Sequence, residues 1–230
     1  MYKTVFIDLD DTIWDTRANS EASMREIYNN YGFARYFPDF DTYYDIYYSN
    51  NLELWTKYRQ GKISKQELII ERIAYPLRTY VDYDEHTIKT LNDDFLDRTT
   101  RKTQLLPHTI ELLEYLKPRY ELYIISNGFE EVQYKKMNNS GLTPYFKGMI
   151  LSDKVGVNKP HPAIFNEAMR IAGATIQDSI MLGDSWEADI AGAKAIGMDQ
   201  IWYDLGIETP MPEFEPTHVV RSLLEVKGIL

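Results

Sequence analysis

The sequence predicts an α/β protein built on a doubly wound parallel sheet, with a helical domain inserted after the first strand. Three observations support this prediction. Short apolar runs recur along the chain, helical patterns separate most of them, and one long stretch carries helical patterns alone. At 230 residues, the chain can form one large domain or one domain that carries a smaller insert.

The strand candidates are short apolar runs that end in small or polar residues. Runs of this length without regular alternation are typical of strands buried on both faces of a parallel sheet. The six candidates are Thr4 to Ile7, Glu121 to Ile125, Gly148 to Leu151, Ser179 to Leu182, Gln200 to Tyr203 and His218 to Val220.

Helical patterns lie between most of these runs. One helix, which Pro118 ends, is predicted by apolar residues three or four apart: Leu106, Ile110, Leu113 and Leu116. A second begins at Pro162 and ends at Gly173, with an apolar face of Ile164, Phe165, Ala168, Met169 and Ala172. Residues 188 to 196 form a third, rich in alanine. Alternating strands and helices favour a doubly wound α/β domain.

The segment from 17 to 102 breaks this alternation. It contains no convincing parallel strand, and it holds 11 of the 18 tyrosines. Tyrosines often cover helical bundles, with an apolar ring buried and a hydroxyl in water, and we favour this structural interpretation over substrate contact. The predicted organisation is therefore a catalytic core of residues 1–16 and 103–230 with a helical cap at 17–102.

Composition excludes several classes of function. The formal net charge of −10 argues against a nucleic-acid polymer as partner, although a metal ion and lysines could still attract a small anion. The absence of cysteine excludes disulfides and thiolate catalysis, and four scattered histidines make a zinc site improbable. The first residues read as a strand and no run is long enough to span a membrane, so we expect a cytoplasmic protein with no membrane partner.

Ligands of parallel α/β sheets bind beyond the carboxyl ends of the strands, and the first such end carries Asp8-Leu9-Asp10-Asp11-Thr12. Two carboxylates one residue apart can converge on a small volume. One could attack phosphorus while the other moves the proton of the leaving group. An acidic turn is the alternative, because aspartate and threonine also favour turns.

Three later segments offer complementary groups. Ser126-Asn127-Gly128 could hold phosphoryl oxygens or form a plain strand-to-helix turn. Lys159 could offset negative charge or simply be solvated. Asp184, in Gly183-Asp184-Ser185, offers oxygen ligands suited to Mg²⁺, whereas Asp189 could also stabilise a helix N-terminus.

With all four segments in this order, the chain resembles the haloacid dehalogenase superfamily, whose four signature motifs they match. The resemblance covers nearly the whole chain and includes the helical insert. It implies an aspartyl-phosphate on Asp8, with Asp10 as the general acid and base. The other implied roles are phosphoryl binding by Ser126, Asn127 and Gly128, charge neutralisation by Lys159, and a hydrogen bond from Thr12 that helps to aim Asp10.

The implied cofactor is Mg²⁺, held by the Asp8 carboxylate, the Asp10 carbonyl and Asp184, with Asp189 as an outer or secondary ligand. Asp10 and Asp184 argue against dehalogenation, because halide displacement needs neither a leaving-group acid nor Mg²⁺. Asp11 stands where related phosphatases commonly have glycine, and acidic residues at this position occur in a nucleotidase branch.

The segments from 54 to 63, 126 to 129 and 152 to 160 resemble the YjjG-type pyrimidine 5′-nucleotidases. The predicted substrate is therefore a small phosphorylated metabolite, and in particular a nucleotide. Trp14, Trp55 and Phe129 could stack a base, or they could pack in the ordinary way.

Two alternatives to a nucleoside monophosphatase remain open. One is a sugar-phosphate phosphatase or a β-phosphoglucomutase-like phosphotransferase. The phosphotransferase would share the motifs but would have to keep water from the aspartyl-phosphate, which depends on closure of the cap. The other is a phospho-receiver module. The order of the residues and the length of the chain disagree with a receiver. The phosphorylated aspartate of a receiver lies on an interior strand, and a receiver has no helical insert after its first strand.

Overall fold

The computed structural model describes residues 1–206 and 214–230. Contacts divide the chain into two compact units. The first, which we call the core unit, comprises Met1–Thr16 and Thr103–Leu230. The second, which we call the helical unit, is Arg17–Lys102.

The core unit contains a six-stranded sheet in which every neighbouring pair is parallel. Its order is β3-β2-β1-β4-β5-β6. The strands are β1 (Thr4–Ile7), β2 (Glu121–Ser126), β3 (Gly148–Leu151), β4 (Ser179–Gly183), β5 (Asp199–Tyr203) and β6 (His218–Val220). The predicted α/β fold with a parallel sheet is confirmed, and each strand lies within one residue of its predicted bounds.

The first strand, β1, lies inside the sheet between β2 and β4. The place of β1 within the sheet therefore does not separate this chain from a receiver, and the difference that remains is the order of the residues along the chain, with Asp8 after the first strand. From β1 the chain forms β2 and β3 on one side of the sheet and then returns to form β4, β5 and β6 on the other side. Doubly wound folds bind ligands at the point where the strand order reverses in this way, which here lies beside β1.

Helices cover both faces of the sheet. Val5 and Ile7 belong to a buried cluster with Leu112 and Leu113, whereas Phe6 belongs to a separate cluster around a later helix. Alternate residues of β1 thus face opposite layers. The core helices are α5 (Thr109–Leu116), α6 (Glu130–Asn139), α7 (Ser152–Val155), α8 (Pro162–Ala172) and α9 (Gly192–Ala195).

Two helical details differ from the predictions. Ile110 is 41% exposed, and α5 buries Thr109 and Leu112 instead, because the helix begins after Leu106 and its face is rotated. The third predicted helix opens as a π-helix at Trp186–Ala191 before it continues as α9. By contrast, Pro162 begins α8 and the left-handed Gly173 caps it, as predicted.

The helical unit contains α2 (Phe40–Arg59), α3 (Lys65–Leu77), α4 (Glu85–Arg101) and all of α1 (Thr16–Asn30) except its first residue, which belongs to the core unit. Its buried cluster is rich in aromatic rings, and Tyr43 and Tyr47 are among its most buried members. Packing therefore accounts for these two tyrosines. Within the described ranges, no helix combines the length and apolar character required to cross a bilayer.

The helix α8 provides a test of this packing with one chemical change at two sites. Ile164 is fully buried against the sheet, whereas Ile171 is 46% exposed on the same helix. We expect Ile164→Ala to lower the free energy of unfolding by about 2 to 5 kcal/mol, because it removes buried methyl groups and leaves a cavity.

The matched control is Ile171→Ala, which should change the free energy of unfolding by about 0.5 kcal/mol or less. Chemical denaturation followed by circular dichroism measures both values. Equal losses for the two variants would contradict the placement of α8.

Candidate active site

The candidate site residues of the core unit meet where three parallel strands end. Ile7 of β1 pairs with Ile124 of β2 and with Leu182 of β4, so the segments that follow these three strands leave the sheet side by side. The Asp8 amide continues the pairing by donating to the Leu182 carbonyl at 2.9 Å. Asp8 is therefore fixed at the carboxyl edge of a central strand, as its position in the sequence predicted.

The ammonium group of Lys159 lies at the centre of this edge, 2% exposed. Its Nζ donates to Asp8 Oδ1 at 2.5 Å, to Asp189 Oδ1 at 2.6 Å and to the Ile125 carbonyl at 2.7 Å. Burial alone would lower the pKa of Lys159, but the adjacent Asp189 and Asp8 carboxylates outweigh it and raise that pKa. Lys159 is therefore a buried cation in contact with Asp8, and it is not a solvated surface lysine.

Asn127 holds the main chain of Lys159. Its Oδ1 accepts from the Lys159 amide at 2.7 Å, and its Nδ2 donates to the Lys159 carbonyl at 3.0 Å. The sequence predicted a phosphoryl contact for Asn127, whereas the structure gives its side chain a partner that sequence reasoning had not included. The hydroxyl of Ser126 accepts from the Gly128 amide at 3.1 Å, so the turn itself is hydrogen-bonded.

Thr12 contacts Asp184 and Asp8, although the predicted contact was near Asp10. The Thr12 hydroxyl donates to Asp184 Oδ1 at 2.9 Å and lies 3.5 Å from Asp8 Oδ2. The Asp184 amide donates back to the same hydroxyl at 3.1 Å. Thr12 therefore links the segments that follow β1 and β4.

Three carboxylates converge beside Lys159. Asp8, Asp184 and Asp189 each offer an oxygen, and these oxygens lie within 4.8 Å of one another. When ionised, the three carry −3 against +1 on Lys159, which leaves −2, and hard divalent cations prefer oxygen ligands of this kind. A Cβ on Gly183 would lie 2.3 Å from Asp189 Oδ2, so glycine makes room for the cluster.

Burial and mutual repulsion disfavour the charged forms of these carboxylates. Burial raises the pKa of Asp8, Lys159 lowers it and Asp189 raises it again, which leaves it at about 7. Burial, followed by the charges of Asp8 and Asp189, holds the pKa of Asp184 well above its usual range. A bound divalent cation would offset both effects, so the donor set fits Mg²⁺.

The carboxylate of Asp10 has a separate set of three partners, none of which the sequence analysis had identified. Oδ1 accepts from Lys136 Nζ at 2.5 Å and from the Thr16 hydroxyl at 2.7 Å, and Oδ2 accepts from Gln133 Nε2 at 2.6 Å. Burial would raise the pKa of Asp10, but the charge of Lys136 and the hydrogen bonds from Lys136, Thr16 and Gln133 outweigh it and lower that pKa.

The sequence did contain a signal for Gln133 and Lys136, the two partners on α6. Val132 and Met137 mark the buried face of α6, and Gln133 and Lys136 occupy the same face. Polar residues at positions that periodicity assigns to a core usually have a specific partner.

The aromatic candidates for base stacking differ in exposure. Trp14 is fully buried and donates from Nε1 to the Ser140 hydroxyl at 3.0 Å, and Phe129 is 2% exposed. Ordinary packing therefore accounts for both residues. Trp55 is half-buried in the helical unit, where its ring meets Tyr58 edge to face.

Comparison with known proteins places these motifs in a family. A family model described as a haloacid dehalogenase-like hydrolase matches residues 2–197. The pyrimidine 5′-nucleotidase PynA of Streptococcus pneumoniae is 31% identical over 100% of this chain and 95% of its own. The pyrimidine 5′-nucleotidase YjjG of Escherichia coli is 28% identical over 98% of this chain and 96% of its own.

The HAD-hydrolase YfnB of Bacillus subtilis is 30% identical over 100% of this chain and 95% of its own. A crystal structure of YfnB bound to magnesium has a TM-score of 0.88 to this chain, with 29% identity, and the match covers 99% of this chain and 98% of that one. This likeness agrees with the sheet described above.

The contacts of Lys159 lead to a prediction about stability. We expect Lys159→Met to lower the free energy of unfolding by about 3 to 5 kcal/mol in metal-free buffer, because Asp8 and Asp189 would remain buried without their cation. Chemical denaturation measures this loss.

The matched control is Lys154→Met, since Lys154 is an exposed lysine that pairs with the exposed Glu130. Its loss should be about 1 kcal/mol or less. A loss in Lys159→Met no larger than that in Lys154→Met would contradict the account of the buried ion pairs.

Proposed function

The chain belongs to the haloacid dehalogenase-like hydrolases, and we propose that it hydrolyses phosphate monoesters, in particular nucleoside 5′-monophosphates, through a phosphorylated Asp8. The predicted family, and with it the prediction of an enzyme of the phosphatase type, is confirmed by the family model and the full-length relatives. The intermediate, the metal and the nucleotide substrate belong to the proposal.

The observation that carries the proposal is the contact between Lys159 and Asp8 at the carboxyl edge of β1. A carboxylate that attacks a phosphate ester must approach a group of like charge, and a fixed ammonium 2.5 Å from Asp8 Oδ1 reduces that repulsion. In the proposed first step, an Asp8 oxygen forms a bond to phosphorus while the ester bond to the leaving oxygen breaks.

Asp10 is the proposed carrier of the proton. The negative charge of a bound phosphate ester would oppose the effect of Lys136 and favour the protonated form of Asp10. Asp10 then donates this proton to the leaving oxygen in the first step, and the alcohol departs. In the second step it takes a proton from the water that attacks phosphorus, the bond to Asp8 breaks and phosphate is released. The proton gained from water restores Asp10 for the next turnover, so the cycle consumes one water for each ester.

Ser126 is suited to bind the phosphoryl group. Its oxygen accepts from the Gly128 amide and from Gln133 Nε2 at 2.7 Å. These bonds occupy the two acceptor positions of the hydroxyl and direct its own proton to another acceptor, for which we propose a phosphoryl oxygen. Asn127 contributes through Lys159, whose main chain it clamps.

The proposed metal ligands are the Asp8 and Asp184 carboxylates, with the Asp10 carbonyl, and Asp189 acts from the outer sphere. Asp189 is assigned to the outer sphere because it is 1% exposed and its two oxygens already accept from Lys159 at 2.6 Å and from the Ser185 amide at 3.1 Å, although each oxygen keeps a second acceptor position. When bound, Mg²⁺ supplies positive charge against the phosphoryl oxygens. The magnesium-bound structure of YfnB supports the choice of metal.

The first test removes the proposed nucleophile. We expect Asp8→Asn to lower phosphate release from p-nitrophenyl phosphate by about three orders of magnitude or more, because the amide cannot form the acyl phosphate. Excess chelator should abolish activity in the unaltered chain, and added Mg²⁺ should restore it.

The control is Asp199→Asn, at the amino end of β5 on the opposite edge of the sheet, which should retain activity. Undiminished turnover in Asp8→Asn or in chelator would refute the proposed chemistry.

The second test addresses the substrate. Because two full-length relatives are pyrimidine 5′-nucleotidases, we expect kcat/KM for pyrimidine nucleoside 5′-monophosphates to exceed that for sugar phosphates by about tenfold or more. A panel of nucleotides, sugar phosphates and other phosphorylated metabolites measures this ratio. Sugar-phosphate isomerisation faster than hydrolysis would instead favour a phosphotransferase.

A further inference from the structure

The helix α6 directs two polar side chains into the protein interior. Gln133 is fully buried and Lys136 is 5% exposed, although the neighbouring Lys135 on the same helix is exposed. Burying an ammonium group is costly unless a partner offsets its charge. The buried pair on α6 therefore requires a specific partner, which is the Asp10 carboxylate.

The Lys136 ammonium is held from two sides. Its Nζ lies 2.5 Å from Asp10 Oδ1 and 4.3 Å from the centre of the Trp14 ring. An ammonium over an indole face is attracted by the partial negative charge that the π electrons place on that face. Trp14 is itself fixed by its hydrogen bond to Ser140, the residue that caps α6. The helix α6 and its cap thus contact the segment after β1 at two residues, Asp10 and Trp14.

Gln133 connects Asp10 to the phosphoryl-binding turn. Its Nε2 donates to Asp10 Oδ2 at 2.6 Å and to the Ser126 hydroxyl at 2.7 Å. A Cβ on Gly128 would lie 2.3 Å from Gln133 Cδ, so glycine at that position leaves room for the glutamine. One amide therefore sets the distance between the proposed proton carrier and the proposed phosphoryl contact.

The donors are divided unequally between the two oxygens of Asp10. Oδ1 accepts from both Lys136 and Thr16, whereas Gln133 donates to Oδ2. A carboxylate oxygen offers about two acceptor positions, so Oδ1 is saturated and Oδ2 keeps one position open. The Asp10 side chain is 29% exposed, so the carboxylate is accessible to a ligand.

We propose that Lys136 and Gln133 are positioning residues that make Oδ2 the proton-carrying oxygen of Asp10 and aim it at the leaving group. This inference rests on the proposed phosphatase function. Lys136 and Thr16 occupy Oδ1, and Gln133 orients Oδ2 relative to Ser126. Neither Lys136 nor Gln133 needs to touch the substrate.

The test uses Lys136→Met, which removes the ammonium, and two substrates that differ in their need for a proton. The alkoxide leaving group of uridine 5′-monophosphate needs a proton, whereas p-nitrophenolate leaves readily without one. We expect kcat/KM to fall about 10- to 100-fold for the nucleotide and by about threefold or less for p-nitrophenyl phosphate. A loss of general stability would lower both values by the same factor.

Two further variants identify Asp10 as the route of the effect. In an Asp10→Asn background, Lys136→Met should change kcat/KM for the nucleotide by about threefold or less, because residues that act as a unit are not additive. Lys136→Arg keeps the cation and should restore most of the ratio between the substrates. The matched control Lys135→Met, an exposed lysine on the same helix, should behave as the unaltered chain.

Equal losses for both substrates in Lys136→Met, or an undiminished effect in the Asp10→Asn background, would overturn the positioning role while leaving the phosphatase function intact. An unaltered chain inactive on both substrates would overturn both. If Lys136→Met does not fold, Gln133→Met replaces it, because loss of the Oδ2 bond should produce the same difference between substrates.

Discussion

The ion pairs of the Lys159 ammonium are the interaction on which the arrangement of the site depends. An ammonium has three protons, and the three acceptors of Lys159 are Asp8 Oδ1, Asp189 Oδ1 and the Ile125 carbonyl. These acceptors belong to the chain segments at the ends of β1, β4 and β2. A single buried cation therefore ties together three strand ends that are adjacent in the sheet and distant in the sequence.

A second lysine separates the environments of two carboxylates that are only two residues apart. Asp8 is paired with Lys159, which precedes α8, whereas Asp10 is paired with Lys136 of α6. Asp8 is 6% exposed, and the side chain of Asp10 is 29% exposed. Different surroundings can set chemically identical groups to different tasks, and the surroundings of Asp8 and Asp10 differ in both the cation and the exposure, as the two proposed roles require.

The sheet and the residues at its carboxyl edge could be predicted from the sequence. Buried parallel strands leave continuous apolar runs, and their ends place Asp8, Ser126 and Asp184 side by side. The partners of Asp10 could not be predicted in this way, because Gln133 and Lys136 reach the site from the side of a helix. Their spacing identifies a shared face but does not name what that face meets.

The contacts of Asn127 with the main chain of Lys159 could not be predicted from the sequence, for a related reason. An amide offers both a donor and an acceptor, and it suits a phosphoryl group and a peptide group equally well. The loop that contains Lys159 presents its amide and its carbonyl together, and both atoms of the Asn127 amide bind them. This contact depends on the path of a distant loop, which local sequence patterns do not encode.

The balance of charge shows why one part of this edge suits a divalent cation. Asp10 is matched by Lys136, and Lys159 offsets only one of the three carboxylates of Asp8, Asp184 and Asp189. The two lysines thereby confine the surplus negative charge to the place where three oxygens lie within 4.8 Å. A chain with a net charge of −10 can accept an anionic substrate only where cations reverse that sign locally, and its buried lysines Lys159 and Lys136 contact Asp8 and Asp10.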